Sequence, residues 1–463
     1  MKSIKTTLIN PPQKTSFPQP PLGLAYVASA LEKAGYEVEI IDAPALKLNE
    51  NDVIRKILNN GAEFIGITAM TPAIGSAIEI ARGIKKNDKS KFIFMGGAHV
   101  TALPEETLRD VSEVDVVVIG EGEVTAPTLI EKIKNKESLK DVLGIAYREK
   151  EKIIINPSRP FIKDLDSLPI PAYHLLPINK YRPYPPHGKK LPYMAIMTSR
   201  GCPFRCTFCS KPVHGKEYRE KSAKSVIGEI KYIQKQYGIK ELLFYDDSFT
   251  LNKKRIIELC DEMMKNEIKI PWSCETRVNL IDEELLSKMK DAGCYIISYG
   301  VESGNQEILN NIKKDITLEQ IKNAFKLTRE AGISIVSYFM LGCPGDTEQT
   351  MKQTIEFAKE LDSNFAQFSI CTPFPGTEIA DLIDKKNEID WNKLSYVSNR
   401  SETIPFVISK NLNEEQLKKY YNNAYKEFYL RPSFVLKTIL RMRSIDDIKV
   451  NINGIKMFLN VLK

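Results

Sequence analysis

The chain has 463 residues, 43% of them hydrophobic, which is enough for two or three domains with separate cores. No apolar run reaches the roughly 18 uncharged residues of a membrane span, and the opening MKSIKTTLINPPQ lacks the features of a signal peptide, so a cytoplasmic location is expected. Of the net charge of +7, most lies in residues 426–463, where eight Lys or Arg face three acids, so the body of the chain is not a nucleic-acid-binding surface.

Residues 1–156 alternate strands and helices. Strands are expected at 4–9, 36–41, 64–68, 92–95 and 114–119, several of them continuously apolar, as in strands covered on both faces. A helix over 22–34 ends before Gly35. Another is expected to start with Thr71 as N-cap and Pro72 in its first turn. The fold class is α/β: an open, doubly wound parallel sheet, closed by a hairpin at about 142–155.

Residues 157–192 hold nine of the 26 prolines, which reads as an ordered linker. A second strand–helix series fills 193–380, with strands at 193–199, 241–246, 272–277, 294–300, 333–340 and 365–371. Six βα units suit a partial barrel of the TIM type, whose chemistry sits at the C-terminal strand ends. SRGCPFRC, YDDSF, YGVESG, LGCPGD and CTPFPGT all follow strands. Residues 381–463 read as a helical extension.

Eight cysteines occur, none before Cys202. Cys202-x3-Cys206-x2-Cys209 follows the first barrel strand, and such a cluster in a long chain reads as a metal site rather than a disulfide framework. Three thiolates on one loop can hold three corners of an iron–sulfur cubane. A structural zinc with His214 as fourth ligand, or a purely electron-transferring cluster, are the alternatives. Cys260, Cys274 and Cys294 fit core positions. Cys343 and Cys371 end strands facing the expected pocket, where packing and a catalytic thiol both stay open.

The spacing and its setting over residues 193–376 resemble the radical S-adenosylmethionine (SAM) family. The resemblance implies a [4Fe–4S] cluster on Cys202, Cys206 and Cys209, whose open iron chelates SAM. One electron then cleaves SAM to methionine and a 5′-deoxyadenosyl radical. It also implies SAM contacts from Phe208, from Asp247 beside Asp246, and from Glu302. Helix capping by Asp247, Ser248 or Ser303 is the structural alternative.

The first domain resembles the cobalamin-binding domain of radical SAM enzymes that carry vitamin B12. The likeness runs through PPLGLAYVASALEKAGYEVEIID, GITAMT, MGGAHVTALPEE and VVIGEGEVT, then DLDSLPIPAYHLLP. It implies cobalamin contacts at Thr68, Met70, Gly96, Gly97, Gly120, Glu121 and Gly122. Other cobalamin carriers place a cobalt-ligating His in Asp-x-His-x-x-Gly after the first strand, where this chain has Asn10-Pro11-Pro12-Gln13. His99 reads as a satisfied, half-buried histidine rather than a cobalt ligand.

The family resemblance implies a cobalamin-dependent methyltransferase acting on an unreactive carbon, with magnesium-protoporphyrin monomethyl ester cyclase-like ring closure as the alternative. The absence of cysteines before Cys202 argues against a methylthiolating enzyme. Expected partners are a small-molecule or lipid-like substrate and an electron donor such as a flavodoxin or ferredoxin. Phe434, Leu436, Ile439, Leu440 and Met442, interspersed with Lys437, Arg441 and Arg443, make peripheral membrane contact a further expectation.

Overall fold

The computed structural model describes residues 5–13, 15–185, 187–188, 190–383 and 406–441. Strands β1 (Lys5–Asn10), β2 (Glu37–Asp42), β3 (Phe64–Thr68), β4 (Phe92–Gly96) and β5 (Val116–Val118) form a parallel sheet in the order β2-β1-β3-β4-β5. β6 (Ile145–Glu149) and β7 (Lys152–Ile155) extend it antiparallel. The apolar runs are explained by burial on both faces. Leu8, Phe94 and Val116 face one hydrophobic cluster, while their neighbours Ile9, Met95 and Val117 face a second on the opposite side. The strand order puts the topological switch point between β1 and β3, so a ligand crevice opens at their C-terminal ends.

The first helix is Leu22–Lys33, and Gly35 takes a positive φ after it. The expected start at Thr71 is not a helix cap. Thr71–Ala73 forms a single 3₁₀ turn, the α-helix begins at Ile74, and the Thr71 hydroxyl bonds the ring of His99 instead.

The second domain begins with β8 (Tyr193–Ile196). A short antiparallel pair, β9 (Ser199–Arg200) with β10 (Arg219–Glu220), ties the two ends of the cysteine loop together. β11 (Glu241–Phe244), β12 (Trp272–Thr276), β13 (Cys294–Glu302), β14 (Ser334–Leu341) and β15 (Phe365–Ile370) complete a six-stranded parallel sheet in the order β15-β14-β13-β12-β11-β8. This is the expected partial barrel of six strands.

Both openings of that sheet are managed. Helix Glu414–Tyr429 covers the edge at β15, where the hydroxyls of Tyr425 and Tyr429 donate to the carbonyls of Phe368 and Ala366 and accept from the same residues' N–H groups. A free edge is thereby removed. The proline-rich linker closes the N-terminal end, where buried His187 bonds Ser273 and the backbone N–H groups of Gly188 and Lys190 donate to Glu241. Upstream, Tyr181 donates to buried Asp42 of the first domain at 2.7 Å. Helix Glu378–Ile383 straddles the start of the extension, and helices Glu414–Tyr429 and Pro432–Arg441 lie within it among the described residues.

Candidate active site

The cysteine loop leaves β9 at Gly201, whose φ is +81° and whose missing Cβ would collide with the carbonyl of Glu217, so a side chain does not fit. Cys202 is buried, Cys206 half-buried and Cys209 exposed at the mouth. Burial by the surrounding walls pushes the Cys209 thiol up to about 11, with Lys211 pulling the other way and Cys206 and Cys202 close enough to raise it further. Arg277, just past the end of β12, donates to Cys206 Sγ at 3.4 Å and lies over the Phe204 ring. The Lys211 ammonium donates to the carbonyls of Cys202 and Phe204. Three thiols on one loop, with Arg277 on Cys206 and Lys211 on the loop carbonyls, suit an anionic iron–sulfur cluster, because the cations offset its charge.

The proposed SAM contacts gather at the same mouth. Gly201 N–H donates to Asp247 at 3.0 Å, so this carboxylate braces the loop and stays exposed at the mouth. Burial among the strand ends raises its acid form's stability. Asp246 is committed elsewhere: it accepts from the backbone of Thr198 and Ser199 and from the Thr198 hydroxyl. Glu302 has the unusual φ of +69° and pairs with buried Lys314 at 2.7 Å. Lys314 Nζ stands 5.8 Å from the Phe208 ring centre, which brings Phe208 and Glu302 to one spot. Helix capping does not explain these acids. Asn252 and Asn305 are the caps of the helices that follow.

At the facing edge of the first sheet, Gly97 has φ +102°, and a Cβ there would meet Ala69 O at 2.9 Å and Thr68 Oγ1 at 3.0 Å. The backbone is therefore bare between β3 and β4, as a bulky cofactor tail requires. Thr68, Gly96, Gly120 and Gly122 are partly open, and Met70 is 47% exposed beside them. His99 is buried, bonds Thr71, and its pKa falls to about 4 through burial, which fits the satisfied-histidine reading.

Glu121 departs from its expected place in the cobalamin set. Its carboxylate accepts from Arg200 at 2.8 Å and from Arg219 at 2.8 Å, while Glu123 takes the other arm of Arg200 at 2.5 Å. Arg200 and Arg219 are the β9 and β10 residues at the base of the cysteine loop. The pair therefore clamps the ligand edge of one domain to the mouth of the other. A Cβ added at Gly376, beyond β15, would meet Ala102 of the helix after β4 at 3.2 Å, so the two domains approach there as well. Cys343 and Cys371 are both buried, and the neighbouring Cys371 side chain together with burial holds the Cys343 thiol well above its usual range, which suits packing at Cys343 rather than nucleophilic attack.

Sequence reading missed Arg277, Lys314, Arg200 and Arg219. A cation at the end of a barrel strand was the available signal for Arg277, while the partners of the other three are set only by packing between domains and loops.

A half-barrel with three thiols on its first loop, faced by a doubly wound sheet, defines a two-domain cofactor enzyme. Residues 196–358 match the Radical SAM superfamily, and residues 13–130 match the B12 binding domain. An uncharacterized methyltransferase, PH0819, of Pyrococcus horikoshii is 38% identical over 449 residues, covering 95% of each chain. The anaerobic magnesium-protoporphyrin IX monomethyl ester cyclase of Rubrivivax gelatinosus is 30% identical over 424 residues, covering 90% of this chain and 75% of that one. The radical SAM methyltransferase TsrM of Kitasatospora setae, solved with cobalamin and a [4Fe-4S] cluster, shares the fold at a TM-score of 0.72 and 19% identity, over 93% of this chain and 90% of that one. The chain belongs to the radical SAM superfamily, among the members that carry a B12-binding domain; it is an enzyme, and its cofactors are a [4Fe–4S] cluster, SAM and cobalamin.

Proposed function

We propose that this protein is a cobalamin-dependent methyltransferase that methylates an unreactive carbon of a small molecule. The observation that carries the reading is the clamp of Arg200 and Arg219 on Glu121, which holds the crevice edge of the first sheet against the cysteine loop. When bound, the cluster and SAM supply a carbon-centred radical and the corrinoid supplies a transferable methyl group. Cys202, Cys206 and Cys209 hold the cluster. Phe208, Asp247 and Glu302 orient SAM, whose ammonium and ribose hydroxyls need acceptors. Thr68, Met70, Gly96, Gly97 and the backbone at Gly120 and Gly122 line the corrinoid crevice; the Glu121 side chain positions the domains.

Anaerobic reconstitution with iron, sulfide and hydroxocobalamin tests this directly. The expected result is corrin absorbance that survives gel filtration and, under reductant, release of 5′-deoxyadenosine. Failure to retain any corrinoid removes methyl transfer. The identity with the Rubrivivax gelatinosus cyclase favours ring closure as the second reading. Product mass separates the two, since methylation adds one methylene unit.

An external electron donor of the flavodoxin or ferredoxin kind is part of this reading. So is a peripheral membrane contact through helix Pro432–Arg441, where Leu436, Ile439 and Leu440 are 59%, 58% and 68% exposed. Met442 and Arg443 lie outside the described residues. No helix among the described residues is long and apolar enough to cross a membrane. Liposome co-sedimentation of the full chain against Leu436→Ser/Leu440→Ser measures the contact; equal binding of the two eliminates it.

A further inference from the structure

The concave face of the half-barrel holds a carboxylate that the fold leaves without a cation. Glu275 lies on β12, and its Oε1 accepts from the Tyr338 hydroxyl on β14 at 3.0 Å. Those strands are not neighbours, since β13 runs between them. Their side chains can meet only across the inner face. No other hydrogen bond and no ion pair to the Glu275 side chain occurs among the described residues, which leaves Oε2 free. Burial raises the pKa of its carboxyl, with Tyr338 alone opposing this. The Glu275 side chain is partly exposed, so a ligand can reach Oε2.

The closed end of the same barrel provides the contrast. There Glu241 receives the N–H groups of Gly188 and Lys190 and the hydroxyl of Tyr295. Where the barrel is sealed, its carboxylate is saturated by the protein. Where it opens toward the cluster, the carboxylate has an oxygen to spare.

The surroundings of Glu275 are aromatic. Tyr245, just past β11, is 52% exposed to water, yet burial pushes its hydroxyl up to about 12, with Glu275 and Tyr184 also raising it. An aromatic ring left this open just past a strand end is available to a ligand at the mouth. Tyr184, from the linker, is 38% exposed and meets the Phe17 ring in a tilted pair at 5.2 Å. Arg277, two residues beyond Glu275, touches Cys206, so Glu275 lies roughly 7 Å deeper along the strand than the cluster contact.

We propose that the space beside Glu275 is the substrate chamber and that it takes a flat, apolar molecule carrying a cationic nitrogen, which Glu275 Oε2 receives while Tyr245 and Tyr184 face the flat body. The proposal rests on the radical SAM reading of the mouth above it. A cation supplies the missing partner, and aromatic faces favour both a flat ring and positive charge.

Two probes with the same ring and opposite charge test it: tryptamine and indole-3-acetate, titrated by equilibrium dialysis into the anaerobically reconstituted holoenzyme. Tryptamine should bind at least about tenfold more tightly, and Glu275→Gln should bring the two within about twofold. Tyr338→Phe, which keeps the carboxylate, should retain the preference for tryptamine. Saturating SAM should not displace tryptamine. Equal affinity in the wild type, no binding of either probe, a preference that survives Glu275→Gln, or displacement by SAM each overturns the assignment. SAM cleavage is assayed on the same wild-type preparation. Its absence would sink the underlying reading of the mouth, whatever the probes do.

Discussion

Arg200, two residues before the first cluster cysteine, is bonded at 2.8 Å to Glu121 of the other domain, with the two side chains 3% and 5% exposed. Removing the acid leaves buried Arg219 without an acid partner and Arg200 with Glu123 alone. Glu121→Ala should lower stability by about 3–5 kcal/mol in urea unfolding, and adding Arg200→Ala should cost less than the sum of the two single changes. Burial alone would raise the Glu121 carboxyl, but Arg200, the Ile162 N–H and Arg219 outweigh it and hold the folded value below the usual range. The clamp is therefore fully present above the ordinary glutamate range and is lost as pH falls through that lower folded value. Strictly additive losses would mean that the clamp is not one unit.

Arg277 donates to Cys206 Sγ, a cluster ligand on the proposed reading. Reduction adds negative charge to the cluster, so a nearby guanidinium stabilises the reduced form more than the oxidised one. Arg277→Gln should lower the cluster's potential by about 30–60 mV, and Arg277→Lys should recover part of that. An EPR-monitored redox titration gives the value, and an unchanged potential would show that the arginine only packs on Phe204.

The half-barrel and the doubly wound sheet were legible because their strands are continuous apolar runs separated by helices, and the cysteine loop because three thiols in eight residues have few other uses. Side-chain roles were less legible where the partner lies far away in the chain. Glu121 reads as an acid at a ligand edge until Arg200, 79 positions later, is seen to hold it. Thr71 reads as a helix cap until His99 is seen to take its hydroxyl. Glu275 carries no motif; only the crossing of Tyr338 over β13 reveals it.

Buried histidines add to the acid sensitivity of the fold. His99 and His187 both have pKa values lowered from 6.5 to about 4 by burial. The unfolded chain takes up these protons first, so each histidine's contribution is complete above pH 6.5 and is lost as pH falls toward 4. Each adds about 1.4 kcal/mol of instability per pH unit in that window. His99→Gln should flatten the stability–pH slope by about one such step in urea unfolding from pH 6 to 4.5. Parallel curves for wild type and variant would contradict the assignment of the slope to this ring.

Glu302 and Lys314 form a buried pair at 2.7 Å beside Phe208. If Glu302 receives SAM, Lys314 acts through it by fixing the carboxylate on a backbone held at positive φ. Lys314→Met and Glu302→Gln should each weaken SAM binding about tenfold while cluster absorbance stays intact, and the double variant should be no weaker than the worse single one. Equilibrium dialysis with SAM distinguishes the cases. Losses that add would place Lys314 on SAM directly rather than behind the acid, because two independent contacts contribute separately whereas a contact and its support fail together.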